Sequence, residues 1–101
     1  MKSYIKSSKQ RAVLKGAAMN LEPMLSIGKN SLTTEFITAV AEYISKHELM
    51  KINVLKNCEE DPKEIAYTLA ERSVSELVQV IGRKIVLYKP AKDPKDRKYE
   101  V

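Results

Sequence analysis

The chain has 101 residues, 44% hydrophobic and 31% charged, with a formal net charge of +5. That bounds it to one domain, able to bury roughly two thirds of the surface its unfolded form exposes. It excludes a membrane helix, which needs about 20 consecutive apolar residues, and the opening MKSYIKSSKQR lacks the apolar core of a secretory signal.

In chain order, Ser7 or Ser8 caps a helix running to about Met19, with Val13, Leu14, Ala17 and Ala18 on one face and Gly16 weakening it slightly. NLEP breaks it, and MLSI reads as a short strand. From about Thr34 to Lys46 the apolar residues Phe36, Ile37, Val40, Ala41 and Ile44 recur at helical spacing, with Thr33 as N-cap. LMKINVL, residues 49–55, alternates as a strand. NCEED is a loop, and DPKE starts a third helix: Asp61 caps, Pro62 takes the first helical position and Glu64 completes a capping box. Ile65, Ala66, Leu69 and Ala70 make its buried stripe, ending near Ser73.

ELVQVIGRKIVLYKP reads as a hairpin around Gly82 and Arg83, a two-residue turn of type II′ pattern. That turn sets Ile81 opposite Lys84, Gln79 opposite Val86 and Leu77 opposite Tyr88. One face is then Val78, Val80, Ile85 and Leu87, wholly apolar, and the other is mixed. The expected fold is α/β, a single domain ordered α-β-α-β-α-β-β. Right-handed crossovers put the second and third helices on one face of a four-stranded mixed sheet, with the N-terminal helix in addition. Residues 1–90 form the domain; residues 91–101, with almost nothing to bury, are expected to be a flexible charged tail.

Charge is unevenly spread. Residues 1–20 carry five bases and no acid, residues 21–81 six bases and ten acids, and residues 82–101 seven bases and three acids. If the two basic ends meet, one surface suits a polyanion. The stretch SIGKNSLTTEF then places a glycine, a lysine and a helix start together. It is no Walker A loop, since Pro23 and Asn30 occupy two required positions, and no dinucleotide fingerprint, since Gly28 stands alone. A phosphate-meeting turn at a helix N-terminus and a plain turn both fit.

LKGAAMNLEPMLSIGKNSLT, then HELMKINV, then VQVIGRKIVLYKP resembles the CRM domain (chloroplast RNA splicing and ribosome maturation), in its free-standing bacterial YhbY-like form, over roughly residues 8–92. The resemblance implies an RNA-binding α/β domain acting on ribosomal RNA of large-subunit precursors during ribosome assembly; the lone cysteine and the lack of a secretory signal point to the cytoplasm. The family's loop is usually G-x-x-G; by position it is Gly28, Lys29, Asn30 and Ser31 here, with serine in the final place. If that place needs a positive φ, serine is strained in it, so either Asn30 takes that role or the loop has a different shape.

The expected RNA-contacting set adds Arg11 and Lys15, four apart on the first helix, with Lys51, Arg83, Lys84 and Lys89. Taken singly, each lysine reads better as a solvated charge; it is as a set with Lys29 that they point to RNA. No catalytic constellation emerges: His47 is the only histidine, and Cys58, the only cysteine, lies in an acidic loop without a disulfide or zinc partner. No enzyme activity, cofactor, metal, membrane or small-molecule substrate is expected, and the chain is expected to be monomeric. The alternative function is a protein-interaction module docking on an acidic partner through the same surface.

Overall fold

A computed structural model of the chain describes residues 4–99. Three short polar side chains start its helices. Ser7 Oγ accepts the Gln10 N–H at 3.1 Å and opens α1 (Ser8–Ala18). Thr33 Oγ1 accepts the Phe36 N–H at 3.1 Å and opens α2 (Thr34–His47). Asp61 accepts the Lys63 N–H at 3.0 Å and opens α3 (Pro62–Arg72). Each cap satisfies an amide that the helix leaves unpaired, worth about 1 kcal/mol. The expected capping box is not formed: Asp61 turns to the second amide of α3, and the Glu64 side chain makes no hydrogen bond among the described residues.

The strands are β1 (Leu25–Ile27), β2 (Leu49–Val54), β3 (Glu76–Ile81) and β4 (Lys84–Tyr88), in sheet order β1-β2-β4-β3. β1 and β2 are parallel, and β4 is antiparallel to both its neighbours. β3 therefore runs parallel to β2, and α2 and α3 are the two crossovers. Both lie on one face, where Val40, Ile44, Ile65, Ala66, Leu69 and Ala70 pack on Ile27, Met50, Ile52, Val54, Ile85 and Leu87. On the other face Leu14 and Ala18 of α1 pack on Leu49, Val78, Val86 and Tyr88. The expected two-helices-plus-one arrangement is the one observed.

The hairpin register departs from expectation at one point. Near the turn the pairs are as read from the sequence, Ile81 with Lys84 and Gln79 with Val86, and Gly82 alone in the turn has a positive φ, 57°. Between Leu77 and Gln79 a bulge shifts the register, so Leu77 faces Leu87 and Glu76 faces Tyr88. Val78 is the extra residue, and it is buried under α1 instead of beside Val80 and Ile85. The wholly apolar face is thus Leu77, Val80, Ile85 and Leu87. Arg11 holds the irregularity in place: its Nη1 donates to Leu77 O at 3.2 Å and to Val78 O at 2.6 Å. β3 is an edge strand, and a bulge with occupied carbonyls discourages strand addition there.

Residues 91–99 make contacts with the domain. Glu48, buried at the end of α2, accepts the Ala91 N–H at 3.3 Å and the Lys98 N–H at 2.9 Å through its carboxylate. A 3-10 turn (Pro94–Asp96) capped by Asp93 shapes the segment. Tyr99 packs edge-on against Tyr88 with ring centroids 6.4 Å apart, and its carbonyl lies 3.4 Å from Gln10 Nε2. The two basic ends of the chain therefore meet. Residues 100–101 lie outside the described residues.

α3 ends in paired bonds, Ser75 N–H to Ala70 O at 2.9 Å and Val74 N–H to Glu71 O at 3.3 Å. That pattern places Val74 in the left-handed region, φ 55°, with its side chain 58% exposed. A β-branched residue is poorly suited to it. Val74→Gly is expected to stabilise the fold by about 1 kcal/mol, read as a higher urea midpoint at unchanged m-value. Arg11→Met keeps the apolar stem and deletes both charge-assisted bonds at the bulge; a loss of about 1.5–3 kcal/mol is expected in the same measurement.

Candidate functional site

Because β1 and β2 are parallel, both end at the same edge of the sheet. β4 starts there, so the turn after β1, the loop after β2 and the hairpin tip converge. Main-chain bonds hold them together: Leu55 N–H donates to Ile27 O at 2.8 Å, and Val54 N–H donates to Arg83 O at 2.7 Å.

The turn after β1 is closed by the Ser31 N–H donating to Gly28 O at 3.0 Å. Gly28 is not the residue whose conformation demands glycine. A Cβ on it would meet Asn57 Oδ1 at 3.6 Å and Leu55 Cδ1 at 3.7 Å, ordinary contacts. The demanding position is Ser31, at φ 53°. The strain anticipated for a serine in the fourth place of the loop is present, and Asn30 does not relieve it. Lys29 and Asn30 form the exposed tip of this turn, and Thr33 then starts α2, so the unpaired amides of a helix N-terminus lie close behind.

Arg83 is turned inward. Its Nε donates to Val54 O at 2.9 Å, and its Nη2 donates to Leu55 O at 2.7 Å and to Cys58 O at 3.1 Å. It fastens the hairpin tip to the loop after β2. A planar guanidinium can satisfy several carbonyls at once where an ammonium could not. Lys84 stands beside it in sequence and donates to Asn53 Oδ1 at 3.1 Å on the face shared with α1.

The sequence-level set divides accordingly. Gly28, Lys29, Asn30, Ser31, Arg83 and Lys84 share the loop edge, and Lys51 lies two residues before Asn53 along β2 on the same face. Arg11 is bound to the bulge, with exposed Lys15 one turn further along α1. Lys89 is at the opposite end, where its N–H donates to Glu48 O at 2.8 Å. His47 stacks on Tyr43 at 4.1 Å, while the neighbouring Glu48 carboxylate faces the C-terminal segment, so the two form no common site.

Lys56 is brought to the loop edge without having been singled out from the sequence. The signal was available: it follows β2, whose end must adjoin that of any parallel neighbour. Among the described residues no group of three His, Cys, Asp or Glu side chains could hold a metal ion, and no helix is long and apolar enough to cross a membrane.

Comparison with known proteins agrees with the fold. Residues 7–89 match the model of the CRS1 / YhbY (CRM) domain. The chain is 42% identical over 89 residues to the Probable RNA-binding protein YqeI of Bacillus subtilis (strain 168), covering 88% of this chain and 93% of that one. It is 33% identical over 89 residues to an RNA-binding protein of Haemophilus influenzae, covering 88% and 90%. The solution structure of the hypothetical protein SAV1595 from Staphylococcus aureus, presented as a proposed RNA-binding protein, superposes with a TM-score of 0.76 at 38% identity, over 93% of this chain and 98% of that one. With the family model spanning α1 through β4 and these relatives matched nearly end to end, the chain belongs to the CRS1 / YhbY (CRM) domain family.

Proposed function

We propose that this protein is a non-catalytic RNA-binding factor, working in the cytoplasm on ribosomal RNA of large-subunit precursors, and that it meets the RNA backbone with its loop edge. The observation that carries the reading is the convergence of Lys29, Lys56 and Lys84 on one edge, together with a turn at a helix N-terminus. Backbone amides and lysines at such a place suit phosphate oxygens. Names given to the relatives, which describe RNA-binding proteins, support the same partner. The ribosomal step rests on the CRM resemblance, and the basic loop edge is compatible with it.

Binding of the full chain to a large-subunit rRNA fragment, followed by fluorescence anisotropy, is expected to weaken with salt at a log–log slope of about −3 to −5. Lys29→Ala combined with Lys56→Ala should reduce that slope by about two units and change stability by less than about 0.5 kcal/mol. A flat salt response, or equal affinity for heparin, contradicts the reading.

Ser31→Gly removes the strain of a left-handed serine, so it should raise stability by up to about 1 kcal/mol in urea titration. RNA affinity should hold or improve, because the turn keeps its shape and loses only a short side chain. A destabilised Ser31→Gly protein would mean that the serine hydroxyl, and not the backbone geometry, holds this turn.

A further inference from the structure

α1 covers only half of its face of the sheet. Its buried residues Leu14 and Ala18 rest on Leu49, Val78, Val86 and Tyr88, toward the end where the chain termini meet. Toward the loop edge the same face carries a row across all four strands, Ser26, Asn53, Lys84 and Ile81, paired in register. Beside it lie, in a second row, Lys51 and Gln79, half-buried on either side of Val86, which α1 covers. No acidic side chain stands in either row, and α1 has none.

The polar groups in this floor are largely unused. Gln79 and Ser26 make no side-chain hydrogen bond among the described residues. Asn53 gives its Oδ1 to Lys84 Nζ, which fixes the amide and leaves its two N–H donors unspent. Exposed apolar side chains flank the floor: Ile81 is 56% exposed on β3, and Met24 is 40% exposed just before β1, its N–H donating to Lys51 O at 2.9 Å.

We propose that this uncovered half of the sheet seats a single-stranded segment of RNA, with base edges against Asn53, Gln79 and Ser26 and the backbone running toward Lys84, Lys51 and the loop edge. The proposal rests on the RNA reading above and adds where sequence is sensed. Charge selects the occupant: lysines without acids suit a polyanion and repel a basic protein segment. Shape selects single strand over duplex. A duplex presents phosphates outward and keeps its base edges in grooves, and A-form RNA has a major groove that side chains cannot read. Amides on the face of a sheet reach base edges only when the bases are splayed out. Unspent amide donors and acceptors are the groups that read such edges, whereas lysines on phosphates carry no sequence information. With no aromatic side chain in either row, Ile81 and Met24 supply the apolar contact for a base at the two ends of the floor.

The test uses the full chain and fluorescein-labelled RNAs of about 12 nucleotides, the size of one small-domain footprint: A, C and U homopolymers and a self-complementary duplex. Anisotropy at fixed salt should show the best single strand binding roughly tenfold tighter than the duplex, with a roughly five- to tenfold spread among homopolymers. Asn53→Ala combined with Gln79→Ala should collapse that spread toward one while leaving the salt slope and melting temperature near wild type. Lys29→Ala combined with Lys56→Ala should do the reverse, lowering the slope and keeping the spread. A duplex bound as tightly as the best single strand, or an unchanged spread in the Asn53/Gln79 variant, overturns the sheet proposal while the loop-edge reading stands. Wild-type protein that binds none of these RNAs nor the rRNA fragment overturns both.

Discussion

The guanidinium of Arg83 takes the carbonyls of Val54, Leu55 and Cys58, and the loop edge of this molecule is built on that clamp. Without it, the carbonyls of Val54, Leu55 and Cys58 would each have to find a separate partner, chiefly water. With it, the loop after β2 is fastened to the hairpin tip, and the end of β1 joins the same edge through the Leu55 N–H to Ile27 O bond. Hydrogen bonds from a charged donor to buried or half-buried carbonyls are among the stronger single contributions to a small fold.

A division of labour between the basic residues follows. Arg11 and Arg83 serve main-chain carbonyls, one at the bulge in β3 and one at the end of β2. Lys29, Lys56 and Lys15 point to solvent. The planar fork of arginine suits paired carbonyls, whereas lysine, a compact and strongly hydrated charge on a flexible stem, suits a mobile contact with phosphate. In this account the arginines shape the surface and the lysines give it its charge.

Much of this was legible from the chain, and the boundary is instructive. The N-caps Ser7, Thr33 and Asp61 and the Gly82 turn depend on neighbours within four residues, so sequence spacing reveals them. The bulge at Val78 does not show, because both faces of the hairpin are apolar where it occurs. Leu77 and Val78 can exchange faces without exposing either pattern as wrong, so hydrophobic alternation loses its power to fix register. The contacts of the segment after Pro90 were not legible for a related reason: they are made with the buried carboxylate of Glu48, 43 and 50 residues away along the chain from the amides it accepts. At the site, the Gly28 turn and its lysine were legible as a local motif. The inward turn of Arg11 and Arg83 was not, since nothing in a sequence distinguishes an arginine that meets carbonyls from one that meets solvent.

The central claim is that ligand binding belongs to the loop edge and the adjoining open sheet, and not to the opposite end, where the two basic chain ends also meet. Amide chemical-shift mapping by NMR during titration with a large-subunit rRNA fragment decides between them most directly. The account predicts the largest shifts at residues 28–31, 53–57 and 82–84, with little change at residues 89–98. Shifts concentrated at residues 89–98 and the start of α1, with the Gly28 turn unaffected, would contradict it.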